Sequence, residues 1–364
     1  MKQRPPSAAA DTILYPIEIL CFLLNLLFAV CCFANVGRLP TKILGIGLDR
    51  ELLMGFVFLL LTPLILLLIH LLNPRTGMFA RLIRLCYLQG LYALYFTESI
   101  LLSQLWFGGA SLDAFFAGLD QKLFGFQPSL ELFRLLQAYP LINEVFFFSY
   151  FFFYALVTMG VWVLFFRRRF HEAEQVLFII SASFFVMYAW FIFFPVQGPK
   201  YYFAELHAVW YANFRGYFFT GLMKGLFNHT NLAGAAFPSS HVAVALVALL
   251  LNFRHNRILA LLCLPLTLLL IVSTIYLYAH FVIDIAAGLV VGLALYYLVP
   301  RLQPGARRVA DWVGSALATR LGFSPMAATT GASSGRRLSD HASGDDLQAG
   351  DARVVVVDQW KSRP

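Results

Sequence analysis

Stretch after stretch of this sequence is too apolar and too long to be a core helix of a water-soluble domain. Residues 13–36, 52–72, 83–107, 145–166, 176–195, 258–278 and 280–299 each reach about the 20 mostly apolar residues that a helix needs to cross a bilayer. Residues 239–253 form a shorter eighth. Lipid offers the backbone no hydrogen-bond partners, so a spanning segment must be a helix or part of a closed barrel. No run alternates apolar with polar residues as a barrel strand would. Composition agrees: 60% of the residues are hydrophobic and 13% charged, where soluble domains carry about 25% charged residues. The expected fold class is all-α, a polytopic integral membrane protein with about eight transmembrane helices. The first stretch is too long for a signal-peptide core and no small-residue cleavage site follows it, so it is read as retained.

Arginine sets the orientation. Arg75, Arg81 and Arg84, then Arg167, Arg168 and Arg169, then Arg254 and Arg257 lie close to helix ends in one set of connections. Lys2, Arg4, Arg301, Arg307 and Arg308 join the same set. The positive-inside rule puts that set, and both termini, in the cytoplasm. The net charge of +8 is explained by these arginines, and no nucleic-acid partner is implied. All five cysteines fall inside expected spans with no zinc spacing, so they read as small packing residues.

Three sections follow along the chain. Residues 1–82 hold a cytoplasmic segment and two extra spans without reactive groups; Glu18 and His70 there, and Glu98 in the third span, are read as isolated. Residues 83–300 form a six-span core. Residues 301–364 form a cytoplasmic tail, first a short amphipathic helix on the membrane face (Val309, Trp312, Val313, Leu317, Leu321), then a Gly-, Ser- and Asp-rich disordered segment. Two long connections lie on the other side. Residues 109–144 look like interfacial helices. The second, 196–238, is rich in aromatics such as Tyr201, Phe214 and Phe218, and reads as an anchoring belt or a lid over a lipid-filled cleft.

Three polar clusters emerge on that same side: "GPK" at 198–200, "FPSSH" at 237–241 and "YAHFVID" at 278–284. His280 and Asp284 are spaced to stack on one helix face. A carboxylate there can accept the imidazole Nδ1–H and leave Nε2 as a free lone pair, which suits a nucleophile. The alternative is a buried pair that only packs helices, but ionisable groups inside a membrane are costly and tend to be functional. Pro238 suits the first turn of a helix. Ser239 and Ser240 supply hydroxyls, the helix N-terminus attracts an anion, and His241 stands beside it as a proton donor. The pieces read as a phosphate cradle, and they explain why the sixth span is short: its first turn would start inside a cavity. Lys200 is the favoured counter-charge, with Arg215 and Lys224 as weaker candidates. No metal and no other cofactor are expected.

"FPSSH" together with "STIYLYAHFVIDIAAG" resembles two signature motifs of the type-2 phosphatidic acid phosphatase superfamily. "LDQKLFGFQPSLELF" and "YPLINEVFFFSYFFFYAL" further resemble its inositol phosphorylceramide synthase-like branch. The resemblance covers residues 83–299. It implies a six-helix core and an active site facing away from the cytoplasm. It also implies attack by His280 on phosphorus, support from Asp284, and proton transfer by His241. The substrate would be a phospholipid or lipid phosphate, and the acceptor water or a lipid alcohol. Phosphoinositol transfer is the activity of that branch. Two departures stand out: the family's Arg before the catalytic His is Thr274 here, and its first motif is reduced to "GPK". A phosphodiester carries less charge than a monoester, so loss of cations fits headgroup transfer better than plain phosphatase action. The competing functions are a lipid-phosphate or polyprenyl-pyrophosphate phosphatase and, from another class, a lipid transporter that only binds headgroups.

Overall fold

The computed structural model describes residues 13–38, 49–72, 77–229 and 232–321, the side chains of 210, 211, 213, 227–229, 318, 320 and 321 excepted. Lys2, Arg4, Arg75 and the expected disordered tail lie outside the described residues. The described chain is helical and contains no strand. Its helices are α1 (Pro16–Ala34), α2 (Arg50–Leu72), α3 (Met78–Phe107), α4 (Asp113–Phe124), α5 (Pro128–Leu136), α6 (Pro140–Phe166), α7 (Phe170–Phe193), α8 (Pro199–Tyr202), α9 (Ala204–Asn213), α10 (Phe218–His229), α11 (Ser240–His255), α12 (Arg257–Tyr276) and α13 (Val282–Leu321).

Seven of these, α1, α2, α3, α6, α7, α12 and α13, are long and apolar enough to cross a membrane. The protein is an integral membrane protein. The eighth expected span is the shorter α11, with 16 residues. At 1.5 Å per residue it is about 24 Å long, short of a hydrocarbon core of about 30 Å. It packs against α6, α7, α12 and α13 and so sits in the middle of the bundle. Its contact with α13 is close because glycine allows it: a Cβ on Gly288 would lie 2.8 Å from the Ser239 carbonyl oxygen, and one on Gly292 would lie 2.7 Å from that of Ala243. Small residues four apart let helix backbones approach in this way.

The ends of the bundle differ from the sequence expectation in two places. The tail helix is not separate, because α13 continues unbroken through Pro300 and Pro304 to Leu321. Its 40 residues measure roughly 60 Å, about twice the hydrocarbon thickness. Its far half does not lie free: Ala310 is buried, and Val313 and Leu317 pack with Ile13, Leu14, Ile65 and Ile69. Nor are Glu18 and Glu98 isolated. Arg84, which looked like a topology signal at a helix end, is fully buried and paired with Glu18 at 2.5 Å. A charge that deep survives only with a partner, and α1 supplies one. Glu98 bonds Arg50 at 2.7 Å.

Outside the spans, α4, α5, α8, α9 and α10 make up the two long connections. The aromatic connection is divided in its packing. Phe214 is buried against Phe133, Phe147 and Tyr276, while Tyr217 and Phe218 are exposed. Glu144 holds this connection in place by accepting from the backbone N–H groups of Tyr217, Phe219 and Thr220.

Candidate active site

The residues singled out in three separate segments converge at one end of the bundle. His241 lies in the first turn of α11 and His280 in the turn between α12 and α13. The imidazoles face each other with Nε2 of His280 3.5 Å from Nδ1 of His241. His280 is buried, and Asp284 is wholly so. Helix order explains the convergence. The glycine-lined crossing brings the start of α11 beside the start of α13, and the Ser239 N–H donates to the Asp284 carbonyl at 3.0 Å.

One detail corrects the sequence expectation. His280 does not share a helix with Asp284, because α13 begins only at Val282. The turn before it is tight, with Tyr278 at φ 59°, and the N–H groups of Ala279 and His280 both donate to the Thr274 carbonyl. As a result Nδ1 of His280 reaches the Ala236 carbonyl at 2.8 Å, and the Asp284 carboxylate stands off at 3.7 Å. A carbonyl only accepts, so Nδ1 carries the proton and Nε2 holds the lone pair. The tautomer expected from Asp284 is thus set by a backbone oxygen. Asp284 instead spends Oδ2 on the Phe281 N–H at 2.8 Å, and its Oδ1 has no hydrogen-bond partner.

His241 is held between aromatic walls on α6. Its ring centroid lies 4.8 Å from that of Tyr150 and 4.5 Å from that of Phe153. Ser239 is the N-cap of α11, its hydroxyl oxygen accepting from the Val242 N–H at 3.3 Å. A hydroxyl that accepts still has its proton to donate. Ser240 is the first helical residue and is buried.

Of the candidate cations, the structure brings the Lys200 backbone to the site. Its N–H donates to the Tyr278 carbonyl at 2.9 Å, and Gly198 (φ 96°) lies so close to the loop that a Cβ would be 2.7 Å from the Ala279 oxygen. The ammonium sits 5.0 Å over the Tyr201 ring, and burial lowers its pKa from the ordinary lysine value. Nearby His207 is drawn down to about 4, by burial first and by Lys200 second. The other two candidates are placed differently. Lys224 donates to the Phe214 carbonyl at 2.6 Å, and Arg215 is exposed. Thr274, standing where the resembled family has Arg, turns its hydroxyl back to the Ile271 carbonyl at 2.7 Å.

Sequence reasoning missed the Ala236 carbonyl, for which no side-chain signal exists. It also passed over Asp113 and Asp120, buried on α4, although two carboxylates seven apart in an amphipathic stretch were there to be noticed. Cys32, Glu51 and Glu98 hold metal-ligating atoms within 4.8 Å of one another. Arg50 already bridges both carboxylates, Glu51 at 2.5 Å and Glu98 at 2.7 Å, and the group shares no residue with the histidine site.

Comparison with known proteins adds one finding. Residues 115–298, about half of the chain, match the family model described as the PAP2 superfamily. The matched stretch begins within α4 and ends within α13, so it takes in both histidines and Asp284. No curated protein and no solved structure matches the chain.

Proposed function

The chain belongs to the PAP2 superfamily of lipid phosphatases and phosphotransferases, and from that premise we propose that it transfers a phospho-headgroup from a membrane lipid through a phosphohistidine at His280. The observation that carries the proposal is the Nδ1–H bond to Ala236, which leaves Nε2 of a buried imidazole as a lone pair facing a second histidine.

In the first half-reaction the Nε2 lone pair forms the N–P bond as the P–O bond to the lipid alcohol breaks. His241 gives its proton to the departing oxygen. The phosphorylated imidazole is cationic, and the Ala236 oxygen and the Asp284 carboxylate, 3.7 Å away, stabilise it. In the second half-reaction His241 takes the proton of the acceptor hydroxyl, the acceptor oxygen bonds to phosphorus, and the N–P bond breaks. His280 returns to its starting form.

In-line attack has a spatial consequence. Nucleophile and proton donor lie on opposite sides of phosphorus, roughly 7 Å apart when reach and hydrogen-bond lengths are added. Substrate therefore separates the two rings from their 3.5 Å contact. The N-terminus of α11 and Lys200 are the anion-binding groups proposed for the phosphoryl oxygens.

A donor with a single negative charge, a phosphodiester, fits this supply of cations, and the branch resemblance makes phosphoinositol the headgroup of choice. The arginine-rich end of the bundle, opposite the site, is assigned to the cytoplasm by the positive-inside rule, so the reaction faces away from it. The test is product analysis. Purified protein receives radiolabelled phospholipids with and without ceramide or diacylglycerol. Headgroup transfer yields a new labelled lipid that depends on the added alcohol. Free phosphate as the main product would reassign the protein as a phosphatase. Flux without turnover would make it a transporter.

A further inference from the structure

α4 lies outside the spans, and it buries Asp113, Phe116, Ala117 and Asp120 along one face. Seven positions make nearly two helical turns, so the two carboxylates project from the same side. Both spend their oxygens on backbone N–H groups of the site. Asp113 accepts from Gln197 at 3.0 and 3.1 Å and from Gly198 at 2.7 Å. Asp120 accepts from Val282 at 2.8 Å and from Ile283 at 3.2 Å. The first set opens the Gly198–Pro199–Lys200 turn. The second is the start of α13, directly after His280. Those two segments are joined to each other as well, through the Lys200 N–H on the Tyr278 carbonyl.

The first N–H groups of any helix lack intrahelical partners and attract anions. At α13 they are taken, Phe281 by Asp284 and the next two by Asp120. The usual cap is a local side chain, whereas here it comes from a residue 162 positions away. Burial raises the Asp120 pKa, and the two donated N–H groups oppose that rise. With α13 closed to an anion, the start of α11 beside His241 is, of these two adjoining helix starts, the one left for phosphate.

We propose that Asp113 and Asp120 are positioning residues for the transfer reaction. α4 clamps the Lys200 turn against the His280 turn, and Asp120 occupies the α13 amides so that phosphate settles at α11. The inference rests on the function proposed above.

The test is steady-state turnover of labelled phospholipid by the full-length protein, normalised to folded enzyme. Asp120→Ala lowers kcat roughly 100-fold with KM nearly unchanged, the scale of a small misplacement of reacting groups. Asp120→Asn keeps an accepting oxygen and loses about tenfold, a usual size for a supporting residue. Asp113→Ala and Asp113→Asn follow the same order. A merely structural cap moves the melting temperature and leaves kcat per folded molecule at the wild-type value, and that result in the asparagine variants overturns the clamp even if the alanine variants fail to fold. His280→Ala separates the two claims. If it is inactive while the aspartate variants turn over normally, the clamp alone fails. If it stays active, the proposed reaction fails.

Discussion

Two buried carboxylates, one at each end of the bundle, are treated in opposite ways. Glu18 has both oxygens doubly engaged: Oε2 accepts from the Tyr15 N–H at 2.7 Å and Arg84 at 2.5 Å, and Oε1 from Arg84 at 3.0 Å and the Tyr87 hydroxyl at 2.5 Å. The guanidinium also stacks over Tyr15, 3.7 Å from the ring centroid. Asp284 is buried as deeply, yet it has no arginine, one oxygen without a partner, and a histidine just beyond hydrogen-bond range. The Glu18 carboxylate is saturated and ties α1 to α3. The second keeps bonding capacity in reserve, together with the lone pair on His280. Burial alone does not mark a functional group; at Asp284 it is the free oxygen beside the His280 lone pair that sets the site apart.

The sharpest way to break this contrast is to cut both clusters. His280→Ala is expected to lower turnover by at least about 10³-fold, the scale of losing an essential catalytic group, with a melting temperature close to wild type. Arg84→Ala is expected to do the reverse. Leaving Glu18 buried without its partner costs about 3–5 kcal/mol, read as a drop in thermal midpoint, while activity per folded molecule persists. An Arg84→Ala protein that melts normally would show that the pair braces nothing.

Gly288→Ala tests how the site is assembled. Its Cβ would meet the Ser239 oxygen at 2.8 Å, so α11 must move and take His241 with it. A loss of roughly 100-fold in kcat is expected, since an ångström of misplacement is worth that much. Near-normal activity would mean that the α11–α13 crossing does not set the distance between the rings.

The smallest effect concerns His207, held down to about 4 against an ordinary histidine value of about 6.5. Its folded pKa is depressed, so the unfolded chain takes up a proton below about pH 6.5 that the folded one refuses. Stability is therefore lost as pH falls from there toward 4. His207→Gln should flatten the melting temperature over that window, and an unchanged slope would assign the acid sensitivity elsewhere.

The legible part of this protein was what short stretches carry by themselves. Apolar length gave the spans, and "FPSSH" and "AHFVID" held His241, His280 and Asp284, which the fold brings to one end. The illegible part was what depends on pairing across the chain. Arg84 read as a topology signal because its partner Glu18 is 66 residues away, and nothing local links them. The acceptor for His280 is a main-chain oxygen, and every residue has one. Asp113 and Asp120 drew no notice because their partners are backbone amides of distant turns. Pro300 read as the end of a helix that in fact continues to Leu321.

The central claim is covalent, and a chemical quench tests it most directly. Enzyme mixed with donor labelled in the phosphoryl group is denatured in alkali, where phosphohistidine survives, digested and sequenced. The account predicts label on the peptide containing His280, absent from His280→Ala and both slower to appear and slower to disappear in His241→Ala, because His241 moves the proton in each half-reaction. Turnover in the wild type with no labelled protein at any quench time, or label on another residue, would contradict it.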